Sequence, residues 1–350
     1  MADETTTDPL IRTKLHRPLV YRNHIHRLRL LERLEKNRQR PLTLVSAPAG
    51  YGKSTLVSEW LDSCDCPSAW LSLDKQDNDL GKFLSYLLAA VETIFPQAVS
   101  KTMTLVNALT LPPLSTLTGT LVNELDRIEQ PFILVLDDYH LIKETAVNNL
   151  IAETLKHPPQ SFHLVIVGRR DPALPISTLR AQSKLAEIRT PDLRFSVAET
   201  ETFLNQVMGI QIDPSTVVAV EEKTEGWVTG LHLAALSMRH RGNLDPGLLE
   251  PHVDAQYVME YLFDEVFSRQ PPEVNQYLLG TAILDRFCSP LCEAVCGKPR
   301  NRILDRRELD CPAANRRELN GCCQGTPGAP YGPLRAISVR NHPLSPKRAA

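Results

Sequence analysis

Short, nearly unbroken apolar runs alternate with longer stretches whose leucines recur every three or four residues. The alternation holds from about residue 40 to residue 190. Leu42-Thr43-Leu44-Val45, Ser68 to Leu73, Phe132 to Leu136, Phe162 to Val167 and Leu185 to Ile188 read as strands. Runs this continuously apolar fit strands buried on both faces, as in a parallel sheet. Between them, Leu56 to Leu61, Phe83 to Ile94, residues 103–130 with a break at Pro112-Pro113, and Ala146 to Leu155 carry the helical period. Asp77 to Asp79 read as a polar turn, and Ile25 to Leu34 as an amphipathic surface helix with basic residues between its leucines. Strands that alternate with helices predict an α/β fold, a three-layer parallel sheet.

After Ser196 the strand pattern stops. Val197 to Met208, Ser215 to Glu225 and Trp227 to Arg239 read as helices, and Ser196 with Glu199 has the spacing of a capping box. A Gly/Pro-containing linker spans Gly242 to Pro251, and helices resume at Tyr257–Phe267, Pro272–Ala282 and Pro290–Cys296. From 297 onward basic residues outnumber acidic ones, prolines recur and Tyr331 is the sole aromatic. Such a tail has little to bury and reads as disordered or out of frame. The expected organisation is a disordered N-terminus at 1–10, a nucleotide-binding domain at 11–195 and a small helical domain at 196–245. A partial winged-helix domain at 252–297 and the basic, Pro-rich tail at 298–350 follow.

The overall composition is that of an ordinary globular protein: 42% hydrophobic, 23% charged, with a net charge of −2 over 350 residues. That charge gives no reason to expect bulk affinity for nucleic acid or membrane. No window approaches the roughly 18 apolar residues of a membrane span, and the polar, acidic start is no signal peptide. A cytoplasmic location and no membrane partner are expected. The 8 cysteines lack the paired spacing of a zinc site. Cys64, Cys66 and the helical-spaced Cys288, Cys292 and Cys296 read as buried free thiols.

One stretch adds chemistry to this frame. Ala47-Pro48-Ala49-Gly50-Tyr51-Gly52-Lys53-Ser54-Thr55 follows the first strand and opens a helix, the layout of a phosphate-binding loop. Gly50 and Gly52 let the backbone curl so that N–H groups converge on one anion, and the helix start adds its positive dipole end. Lys53 would reach the β- and γ-phosphates, and the Ser54 hydroxyl would hold Mg²⁺. The strict motif has Gly where this chain has Ala47, a mild change if φ is negative there. The plain alternative is a Gly-Lys-Ser turn with no ligand.

Asp137-Asp138, at the tip of a buried strand, supply the second element. Asp137 is assigned to the metal and Asp138 to the base that orients and deprotonates a water. Arg169 ends the next strand, where a guanidinium would sense the γ-phosphate; Arg170 competes for that role. His140 reads as a structural neighbour of the acid pair.

Together these residues resemble the N-terminal ATPase region of MalT-like transcription activators, the large ATP-binding members of the LuxR group. Thr13-Lys14-Leu15 with Pro18, Ile25 to Leu31, Ser46 to Thr55, Ala69 to Asp79 and Leu136 to Leu141 carry the resemblance. Glu225-Gly226-Trp227-Val228-Thr229-Gly230-Leu231 and Thr281 to Arg286 complete it. The resemblance implies a signal-transduction ATPase with numerous domains, held at rest by ADP and driven by ATP and inducer toward self-association. Hydrolysis would be slow and would reset the switch. Arg27 would lie near the base or ribose, and Arg169 at the γ-phosphate. DNA would be bound only through a C-terminal domain that this chain lacks. The weak match after Cys296 suggests a chain cut short within the winged helix, with apolar faces at Tyr261-Leu262 and Leu278-Leu279 exposed and solubility low. The rival expectations are a P-loop ATPase whose output is turnover and a small-molecule kinase.

Overall fold

The computed structural model describes residues 10–20, 24–241, 267–268, 270–282 and 295, with the backbone alone at 237–241. The expected linker at 242–251, most of the helices at 257–267 and 290–296, Cys288, Cys292, Cys296 and the tail from 298 lie outside them. So do residues 1–9. The described residues fall into two compact units, the first ending at Pro271 and the second beginning at Pro272.

In the first unit five parallel strands form one sheet: β1 (Leu42–Ser46), β2 (Ser68–Ser72), β3 (Phe132–Asp137), β4 (Phe162–Gly168) and β5 (Leu185–Arg189). Their order is β2-β3-β4-β1-β5. Side-chain alternation sorts each strand between two cores. Leu42, Leu44, Leu134, Leu136, Leu164 and Ile166 face one apolar cluster, while Val45, Ile133, Val135, Val165 and Val167 face the other. The second face is covered by α1 (Leu28–Lys36) and α2 (Lys53–Ser63), whose Leu30, Leu34, Leu56 and Trp60 are buried. The first face is covered by α3 (Leu80–Glu92), α4 (Ser100–Val106), α5 (Leu114–Leu125) and α6 (Thr145–Lys156). This is the expected three-layer sheet. The Pro112-Pro113 break falls between α4 and α5, because proline removes a helical donor and clashes with the preceding turn.

Two short helices, α7 (Ile176–Ala181) and α8 (Thr190–Leu193), flank β5. Beyond them α9 (Val197–Thr202), α10 (Pro214–Thr224) and α11 (Val228–Arg241) build a third apolar cluster around Phe203, Leu204, Val220 and Leu231. Ser196 and Glu199 cap α9 reciprocally, as their spacing predicts. The expected single helix from Val197 to Met208 is in fact interrupted: Phe203–Val207 winds as a π-helix, with Met208 N–H bonded to Phe203 O.

The polar turn at Asp77–Asp79 also differs from expectation. Lys75–Asn78 is a 3₁₀ turn, and Asp77 is fully buried. Its Oδ1 lies 2.7 Å from Lys14 Nζ, which also reaches Asp74 at 3.2 Å and stands 4.1 Å over the Tyr86 ring. A buried carboxylate is tolerated here because a cation was buried with it.

In the second unit, α12 (Pro272–Thr281) buries Val274 and Thr281 and leaves Leu279 exposed.

Candidate functional site

The strand order decides what meets what. β4 lies between β1 and β3, so the C-terminal tips of all three stand side by side. Ser46 pairs with Gly168 on one side and Arg189 on the other, and Ser72 pairs with Asp137. The phosphate loop after Ser46, Arg169 after Gly168, and Asp137 at the end of β3 with Asp138 just beyond it therefore open on the same sheet edge, where α/β sheets take their ligands.

The loop is shaped for an anion. Gly50 and Gly52 have φ of +79° and +72°, and Gly52 caps α2. Ala47 is absent from the positive-φ residues and its N–H bonds to Gly168 O at 3.3 Å, so the missing glycine is no obstacle. The Tyr51 side chain is buried among Leu193, Trp227 and the second core, leaving only its backbone to the cradle. Burial raises the Tyr51 pKa, with Arg194 opposing.

Outside contacts hold the loop in this shape. Trp227 Nε1–H donates to Ala49 O at 3.0 Å, and Thr229 N–H and Oγ1–H donate to Gly50 O at 3.1 and 3.2 Å. A trans peptide sets N–H opposite C=O, so anchoring these two carbonyls turns the N–H groups of Gly50 and Tyr51 to the opposite side. A Cβ on Gly50 would sit 2.5 Å from Thr229 Oγ1 and 2.6 Å from Trp227 Nε1. Gly50 is required by its neighbours as well as by its φ. Trp227 and Thr229 stood out in the sequence only as parts of a motif; nothing local announced that they grip the loop.

Lys53 folds over the loop, its Nζ 2.8 Å from Pro48 O. Ser54 stands close enough to the Asp137 side chain to favour its ionised form, and Asp137 Oδ1 accepts from Asp138 N–H at 2.9 Å. Asp138 takes the left-handed conformation at φ 56° and projects an exposed carboxylate, 3.7 Å from His140 Nδ1. Aspartate is one of the few residues that adopts this region readily. Arg169 is half-buried directly after β4; Arg170 is exposed, 3.5 Å from His140 O.

Arg27 is buried against the segment that follows β5. Its guanidinium donates to Arg194 O at 3.1 Å and Asp192 O at 3.3 Å, faces Glu199 at 3.5 Å and lies over Phe195. Burial lowers its pKa, and Glu199 opposes that shift. In this arrangement Arg27 ties the segment before α1 to residues 192–199.

Burial, and then the Asp138 charge, push the Asp137 carboxyl up to about 6 against the pull of Ser54 and Lys53. A buried carboxylate with oxygen donors beside it and a raised pKa is a place that a hard cation would relieve. The folded pKa lies above the unfolded value of about 4. Its contribution to stability is therefore complete below about pH 4 and is lost as pH rises through about 6. Asp137→Asn removes the ionisation. Denaturation near neutral pH should show this variant more stable by up to about 2–3 kcal/mol, the difference vanishing near pH 4. A variant less stable at neutral pH would contradict the assignment.

Sheet order, loop and acid pair define a phosphate-loop ATPase fold, and residues 21–167 match the AAA ATPase domain family. Residues 263–309 match the MalT winged helix domain. Within that class the chain is similar to the HTH-type transcriptional regulator MalT of Yersinia pestis (strain Pestoides F), at 32% identity over 297 residues. The MalT of Yersinia pseudotuberculosis serotype O:1b matches equally. Each alignment covers 84% of this chain and 33% of the relative, so the chain spans about a third of the length of the curated relatives it matches. Among solved structures, a Walker-type ATPase of Pyrococcus abyssi is similar with a TM-score of 0.50 at 15% identity, covering 83% of this chain and 89% of that one. That likeness is one of fold. The MalT-like character expected from the motifs thus has its counterpart in the sequence relatives. No helix among the described residues is long and apolar enough to cross a membrane.

Proposed function

We propose that this chain is the nucleotide-reading part of a MalT-like transcription regulator, a switch set by ATP or ADP. The observation that carries this reading is the hydrogen-bonded grip of Trp227 and Thr229 on Ala49 and Gly50. It makes the shape of the phosphate loop and the position of the helices after β5 one variable. A nucleotide that pulls on the loop also pulls on the element that leads toward the rest of the protein.

In this reading Ala47 to Thr55 cradle the phosphates, and Lys53 contacts the terminal ones. Ser54 and Asp137 would hold Mg²⁺, which supplies charge neutralisation between the β- and γ-phosphates. Arg169 senses the γ-phosphate and Arg27 lies toward the base or ribose. Asp138, exposed and held by its backbone, orients the water of a slow hydrolysis. Self-association in the ATP state and DNA binding through further parts of the regulator complete the proposal.

Binding and turnover test it together. Mg²⁺-ATP should bind the full chain, and sedimentation should show larger species with ATP than with ADP. Steady turnover well above about 1 s⁻¹, in the usual range of enzymes, would favour an ATPase whose output is hydrolysis.

A further inference from the structure

Away from the phosphate loop, His24, His26 and Glu59 bring three metal-ligating atoms within 4.8 Å of one another. The histidines sit on the short segment before α1, and Glu59 sits in the middle of α2. Glu59 Oε1 lies 3.1 Å from His24 Nε2 and 2.6 Å from His26 Nδ1. Both ring nitrogens thus lie against the same carboxylate oxygen, and only His26 Nδ1 meets it in hydrogen-bond geometry. Their rings meet edge to face at 4.4 Å. Glu59 is 7% exposed, between buried Ser58 and Trp60. A charged group buried to this degree is paired, hydrogen-bonded or bound to a metal. Ile25, between the two histidines, packs against the third apolar cluster, which fixes the segment that presents them.

Two imidazole nitrogens and one carboxylate oxygen make a donor set of intermediate softness, suited to Zn²⁺, Co²⁺, Ni²⁺ or Cu²⁺ rather than to Mg²⁺ or Ca²⁺. Bonds of about 2.0–2.1 Å place the donors of a tetrahedral ion roughly 3.3 Å apart. The two close pairs here reach that spacing by small side-chain rotations. Beside them opens a groove of about 500 Å³, bordered by His24, His26, Glu199, Thr202 and Gln206. Gln206 belongs to the π-helical turn, a local irregularity that recurs at functional sites.

We propose that His24, His26 and Glu59 form a binding site for one divalent transition ion of the zinc class, with its fourth position open to this groove. The ion would join the segment that leads into Arg27 to the helix that begins with Lys53 and Ser54. The site shares no residue with the phosphate cradle, so its test stands independently of the nucleotide reading.

The test is a titration of the nucleotide-free full chain with Co²⁺, and with Zn²⁺ in competition with a chromogenic chelator. One ion should bind, with the intense visible absorption of four-coordinate Co²⁺ and no thiolate charge-transfer band. His26 is 67% exposed, so His26→Ala leaves the core intact. Loss of an outer-shell partner alone costs about 10–100-fold in affinity, and loss of this ligand should cost at least as much. Glu59→Gln should give a comparable loss, with circular dichroism confirming the fold of both variants. Unchanged affinity in His26→Ala would overturn the proposal. So would a thiolate band placing the ion on Cys64 and Cys66, or six-coordinate, millimolar binding by a single imidazole.

Discussion

Lys14→Ala is expected to destabilise the first unit by about 3–5 kcal/mol, read as a drop in the urea midpoint with an unchanged slope. The size follows from what the lysine leaves behind. Asp77 is fully buried, and its oxygens are held by Lys14 at 2.7 Å and by Asp74 N–H at 2.7 Å. Removing the ammonium leaves a carboxylate without its cation in a site that water does not reach, and the contact over Tyr86 is lost too. Truncating one member of a buried pair costs far more than the pair is worth. A double change, Lys14→Met with Asp77→Asn, should therefore recover much of the loss. A single-variant effect below about 1 kcal/mol would show that the pair behaves like a surface ion pair.

Lys53→Ala should act on ligand and hardly on fold. Its Nζ donates to the Pro48 carbonyl, in the loop at the C-terminal edge of the sheet. Charge-assisted bonds to phosphate are about twice as strong as neutral ones, and two of them correspond to roughly a hundredfold or more in ATP affinity. Calorimetric titration should show that loss while the unfolding midpoint stays within about 0.5 kcal/mol of the parent. Unchanged ATP affinity would remove Lys53 from the site and with it the reading of the loop.

Local patterns made the elements legible and left their meetings hidden. Phe132 to Leu136 and Phe162 to Val167 read as buried strands because nothing polar interrupts them, and both are strands of the central sheet. Apolar runs do not say which neighbour they lie against. The insertion of β4 between β1 and β3, which brings Arg169 beside the phosphate loop, came only with the structure. Asp77 looked like a turn residue because its partner, Lys14, is far away in sequence. Ser196 and Glu199 were readable as a cap since both ends of that contact lie within one turn. The π-turn that follows was not, because its residues have ordinary helical composition. Ala47 raised a question that sequence could frame and only backbone geometry could answer.

The position of β1 has a consequence for how the protein is made. β1 pairs only with β4 and β5, whereas β2 and β3 pair with each other. The phosphate loop leaves the ribosome early but gains no sheet partner until Phe162 and then Leu185 emerge. Its Trp227 and Thr229 anchors come later still. Closing such long loops is slow and entropically costly. During synthesis, at about 5–20 residues per second, the nascent chain carries a complete phosphate-binding motif that has no pocket. Ribosome-bound chains stalled before Thr229 should be blind to ATP.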